Sequence, residues 1–289
     1  MVKLVIKNCE DLQFLFETCT NEPISNILKE IVNIYNGRLK IARIAAEMNE
    51  LADHGLTLPG NMQGLTDDQL IDLKLTDSYG DTNLPSGGYV FSQDDIGRRN
   101  GKGPLEKLQK MIKQCTHDSK EMISKKNIDH NIYVSMNTIE TTLQNMKSAI
   151  LIVYPMGLPP YDPIQMEFEN NEQLEGTQAS KDVIEFEEAV LWWAGKELIS
   201  TKKLSDFIGK NEKCKILVKL QKKCNGAPSR ESVVSEEEKR KMMMYYYHKQ
   251  EELKKLEKDD DDSYLDSKWA NTKSLKHKFQ NLSDNIKFK

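Results

Sequence analysis

No stretch of this sequence stays apolar for long. Its longest apolar run, Ala149 to Tyr154, falls far short of the ~20 residues a membrane-spanning helix needs. The opening MVKLVIKNCEDLQFLF lacks the apolar stretch and the small-residue cleavage site of a secretory signal, so neither export nor membrane insertion is expected. Cysteine is sparse and odd in number: Cys9, Cys19, Cys115, Cys214 and Cys224 form no Cys-x-x-Cys pair, and the histidines are scattered. That excludes a disulfide framework and the ligand spacing of zinc sites, and it points to free thiols in a reducing compartment. Neither charge dominates, with 41 Lys+Arg against 45 Asp+Glu and a net charge of -4, so no global field favours nucleic acid or an anionic membrane.

Signatures of catalysis are also missing. There is no Gly-x-Ser-x-Gly, and no Ser, His and Asp are brought together by local context. NGKGPLEK lacks the Lys-Ser/Thr end of a phosphate-binding loop, and Asp67-Asp68 and Glu187-Glu188 read as helix-start or exposed acids. We therefore expect no enzyme and no cofactor. With only 38% hydrophobic residues and a mean hydropathy of -0.63, part of the chain is expected to be solvated helix or tail.

What is present organises into five segments. Residues 1–55 read as a ββαα unit. Val2, Leu4 and Ile6 alternate, as do Phe14 and Phe16; Ile24 to Tyr35 carry a helical stripe; Asn36-Gly37 reads as a stop; Ile41, Ile44, Met48 and Leu51 form a second helix. Residues 56–103 are rich in turn chemistry, with a short helix capped by Thr66 and a buried strand expected at Tyr89-Val90-Phe91. Residues 104–147 read as helices starting at Pro104 and capped at Asn137. In 148–222 the Ala149–Tyr154 run reads as a central strand and Ile164, Met166 and Phe168 as its return. A short helix over 177–188 and a last strand with Ile216, Val218 and Leu220 follow, in the order of a β-grasp. Residues 223–289 read as a long helix, starting at Ser235 and stopped by Asp259 to Asp262, and a docking tail. The fold class is α+β.

The stretch LWWAGKELISTKKLSDFIGKNEKCKILVKL resembles ubiquitin: a strand, a tight Ala194-Gly195-Lys196 turn, Leu204-Ser205-Asp206-Phe207, and a closing strand. A rival reading makes 183–198 one amphipathic helix, since Val183, Phe186, Val190 and Trp193 also share a helical stripe. The closing strand runs on into KKCNGAPSR without a Gly-Gly end, which implies a binding module and not a modifier.

Three features suit binding. Lys213, Lys215 and Lys219 alternate with Cys214, Ile216, Val218 and Leu220, which puts a basic face outside the closing strand, suited to acidic peptides such as tubulin tails. Met242, Met243 and Tyr246 belong to Met-Met-Met-Tyr-Tyr-Tyr, apolar nearly all round its helix. Trp269 is the prominent anchor of the tail. PMGLPPYDP contains a PxxP, read chiefly as a stiff connection.

Several long blocks resemble the kurly-type cilia- and flagella-associated proteins. These are YNGRLK at 35–40, LPGNMQGLTDDQ at 58–69, DDIGRRNG at 94–101, IVYPMGLPPYDPIQMEFEN at 152–170, LWWAGKEL and TKKLSDFIGKNEK within 191–213, and MMMYYYHKQEELKKLEKDDDDSYL. The resemblance implies a role in motile cilia: outer dynein arm assembly, in cytoplasm and at the basal body, with other dynein-arm assembly factors. It also implies a link to planar polarity, with Dishevelled as a suggested partner. The competing expectation is a structural axonemal or basal-body protein of the cytoskeleton that contacts microtubules through the same lysines.

Overall fold

The computed structural model describes residues 1–9, 11–228 and 236–258. The chain divides into two compact units, Met1–Ser229 and Arg230–Lys289. The first opens with β1 (Val2–Asn8) and β2 (Asp11–Thr18), then α1 (Ile24–His54). A long connector carries α2 (Asp67–Asp72), α3 (Ser78–Thr82), β3 (Tyr89–Phe91), β4 (Lys102–Pro104), α4 (Glu106–Met122), α5 (Met136–Val153), α6 (Pro163–Phe168) and α7 (Gln178–Asp182). The unit closes with β5 (Ala189–Trp193), β6 (Lys196–Glu197), α8 (Ser205–Ile208) and β7 (Lys215–Lys222). The second unit contributes α9 (Glu236–Lys258).

The main sheet has the order β2-β1-β7-β5-β6. Its central pair is parallel, with Leu4 opposite Ile216 and Ile6 opposite Val218, and its outer pairs are antiparallel. A mixed sheet of this order wrapped on a helix is the β-grasp arrangement, and the α+β class stands. Its residues differ from those expected. The unit does not close within 148–222: its first two strands and its helix come from residues 2–54, so the ββαα segment and the ubiquitin-resembling segment are halves of one sheet. The reason is apolar supply. The core side of β7 (Ile216, Val218, Leu220) needs neighbours on both flanks, and only β1 offers the matching row Val2, Leu4, Ile6.

The helix gripped by this sheet is too long for it. At 1.5 Å per residue α1 runs about 46 Å, whereas five strands at about 4.8 Å spacing span about 20 Å. The excess length becomes a wall for the connector: α4, α5, α6 and β4 all pack on α1, and their buried residues join those of the sheet in one hydrophobic core. The helix does not stop at Asn36-Gly37, as the dipeptide suggested. Gly37 is small because α5 crosses there; a Cβ on it would lie 2.7 Å from Ile139 Cγ2. The real stop is Gly55, at φ 78°, where a Cβ would run into the Lys102 carbonyl.

Other expectations change for local reasons. Ala149–Tyr154 is not a strand but the end of α5 and its C-cap: Ala149, Ile150, Val153 and Tyr154 are buried while Leu151 and Ile152 are exposed, a helical pattern that an all-apolar run conceals. Ser135, with Thr138, caps α5 in place of Asn137, and Pro155 ends it. Residues 164–168 are helical too, because Asp162 accepts from the Ile164 N–H as N-cap and Pro163 takes the first turn. The segment starting at Pro104 enters its helix only at Glu106. The helix over 177–188 shrinks to α7, since Ile184 is held extended by Asn36, which donates to its carbonyl (2.7 Å) and accepts from its N–H (3.2 Å). Residues 189–193 form a strand and not part of a helix; Ala194 (φ 48°) and Gly195 (φ 76°) supply the left-handed pair a tight hairpin needs. Tyr89–Phe91 is a strand as expected, but all three side chains are exposed.

Arg38, one residue beyond Gly37, is buried and reaches the far end of α4. Its Nε and Nη2 donate to the Ile123 carbonyl (3.1 and 2.9 Å) and its Nη1 to Gln13 Oε1 (3.2 Å). Burial pulls its pKa down to about 10, which leaves it charged at neutral pH beside the negative end of α4. Replacing Arg38 by Met should cost about 2–4 kcal/mol in chemical denaturation, because the Ile123 carbonyl and Gln13 lose their donors inside the core. Gly37→Val should lower the melting temperature, and adding Ile139→Ala should recover part of the loss; no recovery would disprove the close approach of α1 and α5.

Candidate docking surface

Groups capable of chemistry gather first where the connector meets the end of α1. Arg99 is buried and donates to the Gly55 carbonyl (2.8 Å) and to Glu47 Oε2 (2.6 Å). Asp162 is fully buried; it accepts from Ile164 N–H (3.0 Å) and Thr57 N–H (3.5 Å). Burial raises the Asp162 pKa, partly offset by nearby Arg99, and burial pushes the Tyr154 hydroxyl up as well. Tyr161 donates to Asp77 (3.4 Å), and burial together with that carboxylate pushes it up to about 12. Each of these groups caps a helix end or pins a loop: Arg99 sits on the negative end of α1, and Asp162 starts α6. One turn before Glu47 on α1, Arg43 Nη2 donates to Glu167 of α6 at 2.9 Å. The arrangement assembles structure.

A second grouping lies on α4, where ligand atoms of His117, Asp118 and Glu121 fall within 4.8 Å of one another. A divalent cation could bridge such atoms, although the three side chains stand in solvent, where exposed acids gather without an ion.

The outer face of the sheet is different, because its residues are not needed by the core. Along β7, Ile216, Val218 and Leu220 turn inward, and Lys215, Leu217 and Lys219 turn outward. Lys215 lies opposite Lys3 of β1, Leu217 opposite Val5, and Lys219 between Lys7 of β1 and Trp192 of β5. The face thus carries two lysine rows four residues apart, about 13 Å along the strands, with apolar residues between them. Lys213 stands exposed in the turn just before β7, its N–H donating to Asn211 Oδ1 (3.1 Å).

Part of this face is covered. A short 3₁₀ turn at Lys125–Ile128 and the residues after it lie over β1 and β2, where Val134 N–H donates to the Leu15 carbonyl (3.0 Å). Ile128 and Tyr133 there pack on Val5 and Leu15 as a small separate apolar cluster. Tyr133 also receives the Lys3 ammonium, 5.4 Å from its ring centroid, and raises the Lys3 pKa by its hydrogen bond. Over β7 and β5 the face is covered in part: Leu217 is 41% exposed and Trp192 half-buried, whereas Val190, opposite Gln221 on the same side, is buried.

Sequence reading placed Lys215 and Lys219 on one outer face, and the structure puts them there, with Lys213 at its rim. It missed Lys3 and Lys7, although their alternation with Val2, Leu4 and Ile6 repeats the β7 pattern, because nothing local says that β1 and β7 are neighbours. Met242, Met243 and Tyr246 lie on α9, where Met242 to Tyr247 are 51% to 66% exposed. Six consecutive helical residues cover every side of the helix, so this apolar band is displayed all round. Trp269 lies outside the described residues. The PxxP segment is bent by a turn in which Gly157 N–H donates to the Tyr154 carbonyl (2.9 Å), and Pro159 is buried, so it is a connection and not an extended polyproline ligand.

These features define an α+β protein built on a β-grasp sheet, with a large helical connector and two exposed mixed apolar surfaces. No helix of the described residues is long and apolar enough to cross a membrane. Comparison with known proteins narrows the class. The model of the family cilia- and flagella-associated protein 298 matches residues 189–285. Over its full length the chain is 52% identical to cilia- and flagella-associated protein 298-A of Xenopus laevis, covering 99% of that protein. It is 54% identical to the Homo sapiens protein 298 over 98% of both chains, and 43% identical to that of Drosophila melanogaster over 100% of this chain and 99% of the relative. The chain belongs to the cilia- and flagella-associated protein 298 family, and membership gives it a cilium-related role. No solved structure matches it.

The Asp162 carboxylate yields a signed test. Its folded pKa lies above the usual 3.8, so the ionised form weighs against the native state once pH rises past that value. Asp162→Asn keeps the capping oxygen and removes the charge. The variant should be at least as stable as the parent at pH 7, with the difference shrinking as pH falls toward 4. A variant less stable at pH 7 and equal at pH 4 would reverse the sign.

Proposed function

We propose that this chain is a non-enzymatic adaptor that promotes outer dynein arm assembly, and through it cilium motility, by holding other proteins. The observation that carries the proposal is the band Met242–Tyr247: contiguous apolar side chains stand in solvent on α9, between charged flanks. Exposed apolar bands of this kind mark surfaces that other proteins cover. Family membership supplies the cilium; the outer sheet face supplies a second surface. An adaptor of this kind would work in the cytoplasm and at the basal body. The natural partners are other dynein-arm assembly factors, and a polarity protein such as Dishevelled would use the same kind of contact.

The lysine rows of β1 and β7 favour one other reading, a resident axonemal or basal-body protein that grips acidic tubulin tails. Fractionation separates the two. An adaptor remains with the soluble fraction when axonemes are isolated, and its loss leaves cilia short of outer-arm dynein; a resident protein stays in salt-washed axonemes. Met242→Glu with Tyr246→Glu should leave the melting temperature of the chain unchanged and reproduce the shortage of outer arms. Normal arms in cells carrying that variant would refute the role given to α9.

A further inference from the structure

We infer that the free edge of β3 is a pairing site for an extended segment of a partner protein, which joins the β3–β4 ribbon as an antiparallel third strand and sets a lysine or arginine into the acidic cleft beyond Phe91. The inference is carried by a surface separate from Met242–Tyr247 and does not depend on the adaptor reading. It starts from where the backbone groups of Tyr89-Val90-Phe91 point. In the ribbon, Tyr89 lies opposite Pro104, Val90 opposite Gly103 and Phe91 opposite Lys102. Pro104 has no N–H to give Tyr89, and the Lys102 N–H goes to Asn100 Oδ1 (3.0 Å). Ser92, one residue further on, donates its N–H to the Gly101 carbonyl (2.8 Å). Bonded and non-bonded pairs alternate in an antiparallel ladder, so Val90 and Ser92 bond the partner strand while Tyr89 and Phe91 turn their N–H and C=O groups outward. Among the described residues no hydrogen bond reaches those outward groups.

The edge is also unguarded. Soluble proteins protect a strand edge with lysine, proline, a bulge or a covering element. β3 offers tyrosine, valine and phenylalanine instead, each between 48% and 68% exposed and in unbroken register. The other flank of the ribbon is closed, because β4 lies on the end of α1, where a Cβ on Gly103 would come within 2.8 Å of the Asp53 carbonyl oxygen. A further strand can therefore join this ribbon only at β3. Its aromatic side is already held in place. The Phe91 ring lies against Gly101, where a Cβ would stand 2.9 Å from Phe91 Cε2, and the Lys102 ammonium is 5.9 Å from the Tyr89 ring centroid. Rings fixed beforehand lower the ordering cost of binding.

Charge selects the guest. Past the end of the strand, Asp94, Asp95 and Ile96 line a cleft of about 460 Å3 with Thr66 and Asp68, and no basic side chain lines it. Asp94 is engaged by its own loop, accepting from the Ile96 N–H (3.2 Å) and the Arg98 N–H (3.0 Å). Asp68 and Asp95 stand exposed, while the bases of the following loop and of β4 are held elsewhere, Arg98 and Arg99 by Glu47 and Lys102 by Asp81. At the other end of the ribbon Glu106 is paired with Lys110. The carboxylates left over thus lie beyond Phe91, where an antiparallel guest arrives ahead of the residue it sets opposite Phe91. That guest reads basic-x-x-Φ-x-Φ, with Φ aromatic or β-branched. Its two Φ residues share a face with Phe91 and Tyr89, and three extended residues carry the base about 10 Å further, to the cleft. A second copy of this chain offers Ser86-Gly87-Gly88 at that place, with no base.

The test uses the purified full chain and a fluorescein-labelled peptide, Arg-Thr-Ser-Val-Thr-Tyr between Gly-Ser flanks. Fluorescence anisotropy at physiological salt should show it binding about tenfold more tightly than the peptide with Glu in place of Arg. Single backbone N-methyl groups, moved one residue at a time along the peptide, each remove one N–H and leave the protein untouched. Methylation at Val or Tyr should abolish binding; at the Thr between them, whose N–H points away from β3, it should be tolerated. Asp95→Lys should narrow the gap between the Arg and Glu peptides several-fold, and Phe91→Pro, which removes one outward N–H, should weaken both, with melting temperatures unchanged. Absence of binding overturns the inference, as do equal losses at all three methylated positions or a gap that Asp95→Lys leaves intact. Helical circular dichroism gained by the bound peptide also overturns it. Sedimentation of the chain alone as a dimer that Phe91→Pro dissociates would give the edge to a second copy and overturn the partner.

Discussion

One turn of α1 holds the first unit together. In Tyr35-Asn36-Gly37-Arg38 the hydroxyl of Tyr35 accepts from Asn8 at the end of β1 (2.6 Å), Asn36 clamps Ile184 ahead of β5, Gly37 admits α5, and Arg38 caps α4. The sheet hairpin, its return strands and both main connector helices therefore refer their positions to the same four residues. Helical geometry makes this possible: successive residues point about 100° apart, so four neighbours address four directions. A helix can be such a hub only where its side chains are polar enough to reach partners and small enough to let a helix pass, which is why this turn has so few aliphatics inside an otherwise apolar stripe.

The connector is the second consequence of that helix. An ordinary β-grasp helix would end near Asn36 and return to the sheet. Here α1 continues to His54, and the extra turns carry α4, α5, α6 and β4 before the chain returns to strand at Ala189. Arg99 and Asp162 lock the far end, one on the last carbonyls of α1 and the other at the start of α6. Arg99 and Asp162 do so through hydrogen bonds to backbone groups, the first to the Gly55 carbonyl and the second from the Ile164 and Thr57 N–H groups. They hold a large insertion in register with a small sheet whose outer face that insertion covers in part.

Much of this was legible in the chain, and the failures have physical causes. Strand alternation at Val2–Ile6 and Ile216–Leu220, the Ala194-Gly195 turn and the first half of α1 are short-range patterns, and the structure contains them. The join between β1 and β7 has no short-range signature, since parallel pairing is encoded only by matching apolar rows at distant positions. Splitting one sheet between two units followed directly from that. Ala149–Tyr154 misled because a helix end with an apolar exposed side looks the same, letter by letter, as a central strand. Asn36-Gly37 misled because a glycine admitting a neighbour and a glycine ending a helix are spelled alike. The outer lysines of β7 were visible alone, and their partners Lys3 and Lys7 became visible only with the sheet.

The sheet also sets an order of events during synthesis. Its first two strands and its helix leave the ribosome early, but the strand that must slide between β1 and β5 is made after the whole connector. Until then β1 has an unpaired flank and α1 an uncovered apolar side, and loop closure across so long an insertion is slow. Until that strand is made, an apolar helix side and an unpaired strand flank stand exposed, the kind of surface through which partly folded chains associate.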